Sequence, residues 1–74
     1  MVKYLINRNS SAWSTYGDLL NSRLFKKVLE KYSQEITITC SNDKNQLFVN
    51  APESIKSEVE KALDGDGFDF SIFK

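Results

Sequence analysis

Residues 35–50 read EITITCSNDKNQLFVN, and this stretch decides the fold. Apolar and polar residues alternate in Glu35–Cys40 and again in Gln46–Asn50, as is typical of strands with one buried face. Between them, residues 41–45 (Ser-Asn-Asp-Lys-Asn) are turn formers. The stretch therefore predicts a β-hairpin near the middle of the chain.

A helical pattern lies on each side of this hairpin. Upstream, apolar residues recur at three- and four-residue spacing through Asp18–Tyr32, which predicts one amphipathic helix. Downstream, Pro52 is well suited to the first position of a helix. Gly65 or Gly67 is expected to end that second helix, because glycine is favoured just after a helix C-terminus.

An alternating apolar run flanks each predicted helix on its outer side. Val2–Asn7 and Phe68–Phe73 are predicted to be the first and last strands. The chain order is then β-α-β-β-α-β, the ferredoxin-like or split βαβ pattern of the α+β class. Residues 1–74 are expected to form a single domain, with strands one and three central in an antiparallel sheet and both helices on one face.

Strand alternation also predicts the two faces of the sheet. The helix-covered face is expected to carry Val2, Tyr4, Ile6, Ile36, Ile38, Cys40, Leu47, Val49, Phe68, Phe70 and Ile72. The open face is expected to carry Lys3, Leu5, Asn7, Thr37, Thr39, Gln46, Phe48, Asn50, Asp69, Ser71 and Phe73. Burial of Phe48 under a helix would contradict this register.

Composition limits the classes of function. The formal net charge is 0, which disfavours broad non-specific nucleic-acid binding. The charge is uneven, because residues 1–49 carry a net +3 and residues 50–74 a net −3. The single cysteine, the short apolar runs and the lack of a secretion signal at the N-terminus predict a cytoplasmic, intracellular protein that does not enter membranes.

The usual catalytic groups are missing from the sequence. With no histidine, the commonest general base and metal ligand is absent, and Cys40 is interpreted as a small core residue rather than a nucleophile. The acidic segment Asp64–Asp69 lacks the glycine and final glutamate of a calcium loop, so it is interpreted as a turn. We therefore expect no enzymatic activity, no catalytic residues, no cofactor and no metal site.

The segment after the first strand allows two interpretations. Arg8, Asn9 and Ser10 could bind a phosphate at a helix N-terminus, but they lack a glycine framework and are interpreted as a solvated loop. Trp13 and Tyr16 either lie in a loop as exposed contact residues or, if the helix begins near Ser11, belong to the core.

These patterns, which suggest no known family, predict a small non-enzymatic protein-binding module. We expect an accessory or inhibitory protein of the kind encoded by phages or mobile elements, which occludes a partner protein's surface. A homodimer through the open sheet face is a second arrangement that would cover its apolar residues. Its contact residues are predicted on the open sheet face and the 8–16 segment: Leu5, Arg8, Trp13, Tyr16, Phe48 and Phe73. The alternative is single-stranded nucleic-acid binding through Lys3, Arg8 and Phe48.

Overall fold

The computed structural model describes residues 1–7, 12–41 and 46–73. Four strands and three α-helices account for most of this part of the chain. In chain order they are β1 (Val2–Asn7), α1 (Ala12–Leu20), α2 (Leu24–Lys31), β2 (Thr37–Cys40), β3 (Leu47–Ala51), α3 (Lys56–Gly65) and β4 (Asp69–Ile72), with a 3₁₀ turn at Glu53–Ile55 before α3.

The strands form one antiparallel sheet in the order β2-β3-β1-β4. The predicted α+β class is therefore confirmed, and β1 and β3 occupy the centre as expected. In the β1–β3 pair, Tyr4 lies opposite Val49 and Leu5 lies opposite Phe48. Because side chains alternate between faces, these two pairs lie on opposite sides of the sheet.

The helices pack on one side of the sheet and enclose the core there. The buried residues of this core are Val2, Tyr4, Ile6, Ala12, Leu19, Phe25, Ile36, Leu47, Val49, Ala51, Ile55, Val59, Ala62, Leu63 and Phe68. The predicted covered face is thus buried at its centre. The expectation of burial was wrong for Cys40 and Ile72, which are exposed because β2 and β4 are the two edge strands.

The prediction of one helix over Asp18–Tyr32 was wrong, since the crossover from β1 to β2 contains two helices. Asn21 and Ser22 lie at the break. The Asn21 side-chain amide donates to the Gly17 carbonyl oxygen at 2.9 Å, and the Ser22 hydroxyl donates to the Leu19 carbonyl oxygen at 2.6 Å. Such short polar side chains compete with helical hydrogen bonding, and here they help to end α1.

The start of α2 is capped by a residue distant in sequence. The Asp66 carboxylate accepts hydrogen bonds from the backbone N–H groups of Leu24, at 3.0 Å to Oδ1, and of Phe25, at 2.8 Å to Oδ2. These N–H groups have no partner within the helix, and a negative charge at this end also interacts favourably with the helix dipole. The turn after α3 therefore stabilises the break between α1 and α2.

The end of α3 explains how Asp66 is positioned. Gly67 has a φ of +81°, a conformation that residues with a Cβ rarely adopt. The Phe68 N–H donates to the Leu63 carbonyl at 2.9 Å and the Gly67 N–H to the Asp64 carbonyl at 3.0 Å, the two bonds of a Schellman motif. The segment that resembled a calcium loop is therefore a helix-ending turn.

Tyr4 joins the centre of the sheet to α3. Its side chain is fully buried, and its hydroxyl donates to Glu60 Oε2 at 2.9 Å. Burial, followed by the hydrogen bond to Glu60 and the charge of Glu60, raises the pKa of Tyr4 above its ordinary value of 10. The neutral phenol is thus favoured in the folded protein.

This shift predicts a loss of stability in alkali. Below about pH 10 the phenol is neutral in both the folded and unfolded states, so Tyr4 does not make the free energy of unfolding depend on pH. Above that pH the unfolded chain releases the proton first, and the free energy of unfolding falls as pH rises. Urea unfolding between about pH 9 and 11.5 should show a shallower decline for Tyr4→Phe than for the wild type. Tyr16→Phe is the matched control, and equal slopes for wild type and Tyr4→Phe would contradict the prediction.

Candidate interaction surfaces

The open sheet face is the side of the sheet that carries Lys3, Leu5, Phe48, Asn50 and Phe73. Its register follows from the pairs Leu5–Phe48 and Lys3–Asn50 between β1 and β3. Phe73, just beyond β4, is held against β1 because its N–H donates to the Lys3 carbonyl oxygen at 2.7 Å. The predicted open-face residues Lys3, Leu5, Phe48 and Phe73 are therefore brought together.

Phe48 on this face is covered by its neighbours. The Lys3 Nζ atom lies 4.4 Å from the centre of the Phe48 ring and 5.2 Å from that of Phe73. The two rings lie edge to face with their centres 5.0 Å apart. Phe48 is only 5% exposed, whereas Phe73 is 45% exposed. Since Phe48 faces away from the helix-covered core, its burial does not contradict the strand register.

The rest of the open sheet face is more polar. The Asn50 side-chain amide donates to the Thr37 carbonyl oxygen and to Thr39 Oγ1, both at 3.2 Å. Leu5 is half-buried. The exposed apolar surface is thus concentrated at Phe73, and Phe48 offers little ring area for stacking on a nucleic-acid base.

Helix α1 exposes two aromatic side chains and a leucine, although it buries three smaller or similar side chains against the core. Ala12, Thr15 and Leu19 face the core, whereas Trp13 is 74% exposed, Tyr16 36% and Leu20 38%. We call Trp13, Tyr16 and Leu20 the α1 stripe. At about 100° per residue they fall within an arc of about 60° on one side of the helix.

This finding decides between the two interpretations of Trp13 and Tyr16. The helix does begin near Ser11, but the expectation that a helical Trp13 and Tyr16 belong to the core was wrong. The break at residues 21–23 separates α1 from α2, so α1 need not continue the buried face of α2. Leu20 was not predicted as a contact residue, although its spacing of seven from Trp13 signals a shared helix face.

The α1 stripe adjoins the edge strand β2. Ala12, Trp13, Tyr16, Ile38 and Cys40 line a groove of about 180 Å³, which we call the edge groove. Cys40 occupies the side of the sheet predicted for it, but it is exposed and lines the groove. Strand alternation predicted the side of the sheet for Ile38 and Cys40, but it could not predict how far the helices cover the edge strand β2, which leaves Ile38 half-buried and Cys40 exposed.

The predicted contact residues therefore lie on two surfaces and not on one. Leu5, Phe48 and Phe73 belong to the open sheet face, whereas Trp13 and Tyr16 belong to the helix-covered side. Arg8, predicted for both protein and nucleic-acid binding, lies outside the described residues, as do Asn9 and Ser10.

Among residues 1–7, 12–41 and 46–73, no cluster of three or more histidine, cysteine, aspartate or glutamate residues could hold a metal ion. In the same ranges, no helix has the length and hydropathy needed to cross a membrane.

Comparisons with protein-family models, with curated proteins and with solved structures found no match to this chain.

Proposed function

We propose that this protein is a non-enzymatic protein-binding module that uses the α1 stripe to occlude a surface of its partner. The observation that carries this proposal is the exposure of Trp13, Tyr16 and Leu20 on one side of a folded helix. Such a module would act as an accessory or inhibitory protein of the type found in phages and mobile elements.

The chemistry of the stripe supports protein recognition. Tryptophan and tyrosine are enriched among the residues that contribute most to protein interfaces, because they bury a large rigid surface and also carry a polar group. Asp18 is the one charged residue in α1. Covering apolar surface contributes about 25 cal/mol for each Å² removed from water, so covering the α1 stripe would contribute favourably to the free energy of binding.

The spacing of the stripe favours a particular mode of binding. Anchors at positions i, i+3 and i+7 are typical of a helix that inserts into an apolar groove of its partner. The edge groove beside the stripe, with Ile38 and Cys40, would extend the contact along β2. We therefore place the contact at α1 and β2, with the exposed Phe73 of the open sheet face as the second candidate surface.

We also propose that the fold is a ferredoxin-like split βαβ in which the first crossover is divided into two helices. The strand order β2-β3-β1-β4 and the antiparallel pairing of all neighbours support this assignment.

Removal of the Trp13 side chain should weaken partner binding without weakening the fold. A tryptophan at the centre of an interface contributes at least about 2 kcal/mol, so affinity for a partner captured from the native host should fall about 30-fold or more in Trp13→Ala. Because Trp13 is largely exposed, the free energy of unfolding should change by less than about 0.5 kcal/mol. Binding is measured by titration with the purified partner and stability by urea unfolding.

Phe73→Ala is the matched control, because it removes an exposed aromatic ring from the opposite side of the sheet. It should leave the affinity unchanged. Loss of affinity in Phe73→Ala alone would place the contact on the open sheet face. Unchanged affinity in both variants would contradict binding through either surface.

The alternative function, single-stranded nucleic-acid binding through Lys3 and Phe48, has less support. The Lys3 ammonium lies over the two phenylalanine rings, and Phe48 has almost no exposed ring surface. Because Lys3 and Phe48 already contact each other, binding a nucleotide to them would require this contact to be broken.

A further inference from the structure

A second concave surface lies between α2 and α3, away from the residues of the α1 stripe. Leu24, Val28 and Ala62 form its apolar floor, in a groove of about 360 Å³ that we call the α2–α3 groove. The two helices approach closely at one end, where Gly65 faces the Leu24 side chain. A Cβ added at Gly65 would overlap that side chain. Leu24 is nevertheless 43% exposed and Val28 half-buried, so these two residues open the floor to solvent, whereas Ala62 is only 4% exposed.

The rim of this groove is mainly basic. Lys27, Lys31 and Lys61 line it, together with a single acidic residue, Glu58. Lys31 Nζ lies 3.8 Å from Glu58 Oε1, in an exposed ion pair that is easily exchanged for another partner. The four charges sum to +2, although the whole chain has a formal net charge of 0.

Lys31 also lies over the ring of Tyr32, with Nζ 5.1 Å from the ring centre. A hydrogen bond with Tyr32, the charge of Glu58 and the charge interaction with Tyr32 together raise the pKa of Lys31. The raised pKa keeps Lys31 cationic near neutral pH, so it can pair with a carboxylate of a partner as it does with Glu58.

We propose that the α2–α3 groove binds an acidic amphipathic helix of a partner protein. Its apolar side would pack on Leu24, Val28 and Ala62, and its flanking carboxylates would lie against Lys27, Lys31 and Lys61. A third helix placed on two packed helices is a common arrangement in helical proteins, and charge complementarity orients the incoming helix. This inference goes beyond the proposed function, because it concerns a different surface and does not need the α1 stripe.

The lining of the groove favours a peptide over a nucleic acid. The residues that line it include no aromatic side chain, so bases have no ring on which to stack. Phosphates would contact the lysines but gain nothing from the apolar floor. An amphipathic helix uses both parts of the surface.

The test uses a fluorescent 15-residue probe peptide with leucines at i, i+4, i+7 and i+11 and glutamates and alanines elsewhere. Titration into the ¹⁵N-labelled full chain should shift the backbone amide signals of Lys27, Val28 and Lys61. The Lys27→Glu/Lys61→Glu double variant should bind the probe at least about 10-fold more weakly, because two attractions become repulsions. The Lys26→Glu/Lys56→Glu double variant is the matched control, since it changes the same charge on the same helices outside the groove.

Each other outcome would overturn the proposal. These outcomes are no shift at millimolar peptide, shifts confined to α1 or the open sheet face, or equal weakening in both double variants. If a peptide with lysines in place of the glutamates bound as tightly as the probe, charge complementarity would not be the cause of binding. Tighter binding of the oligonucleotide dT15 would indicate a nucleic acid, and a concentration-dependent dimer abolished by Lys27→Glu/Lys61→Glu would indicate a second copy of the chain.

Discussion

Leu19→Ala should lower the free energy of unfolding by about 3 kcal/mol, whereas Leu20→Ala should lower it by less than about 1 kcal/mol. Leu19 is fully buried in the core, and its truncation loses apolar contact and leaves a cavity. Leu20 is 38% exposed and belongs to the α1 stripe. The two substitutions change helix propensity equally, so each is the control for the other.

Urea or thermal unfolding measures this difference directly. For a domain of this size, the loss expected for Leu19→Ala corresponds to a fall in Tm of more than about 10 °C. If that variant is too unstable to purify, Leu19→Val should still cost about 1 kcal/mol, with no comparable loss in Leu20→Val. Equal destabilisation by the two alanine substitutions would mean that α1 is rotated from the orientation described, and the α1 stripe would not be a free surface.

Asp66→Ala should lower the free energy of unfolding by about 2 kcal/mol. The substitution removes a carboxylate that accepts hydrogen bonds from the N–H groups of Leu24 and Phe25 and leaves both donors without that acceptor. Asp66→Asn keeps one acceptor oxygen but loses the charge, so about half of the loss is expected. Equilibrium unfolding gives the magnitude, and hydrogen exchange at the Leu24 and Phe25 amides locates it.

Asp64→Ala is the matched control for this substitution. Asp64 is exposed near the C-terminal end of α3, where a negative charge is disfavoured by the helix dipole. Its replacement should therefore leave stability unchanged or slightly raised. A similar loss in Asp64→Ala and Asp66→Ala would contradict the assignment of Asp66 as the cap of α2.

The sheet was predictable because its signal is local. The alternation of apolar and polar residues in Val2–Asn7 predicted the bounds of β1, and the same pattern located the hairpin strands and β4 within about two residues. The residues of the two faces followed from the same alternation. The exposure of Cys40 and Ile72 did not follow, because alternation gives the side of the sheet and not how far the helices extend over the edge strands β2 and β4.

The crossover between β1 and β2 was less predictable for a physical reason. The apolar spacing of Asp18–Tyr32 is compatible with one continuous helix, and the local competition by Asn21 and Ser22 is a weak signal. The stronger determinant is Asp66, which lies more than forty residues along the chain from the N–H groups that it caps. Such a contact exists only after the chain has folded.

For the candidate surfaces, too, sequence determined one part and tertiary structure the other. Sequence alone identified Trp13, Tyr16, Phe48 and Phe73 as the aromatic residues to consider, since residue type and strand parity are local properties. Tertiary structure alone decided their exposure. Trp13 faces solvent because α1 packs on the core through Ala12, Thr15 and Leu19. Phe48 is covered because Lys3 and Phe73 lie against it on the folded sheet. Exposure is a property of neighbours, and neighbours from distant segments meet only in the folded chain.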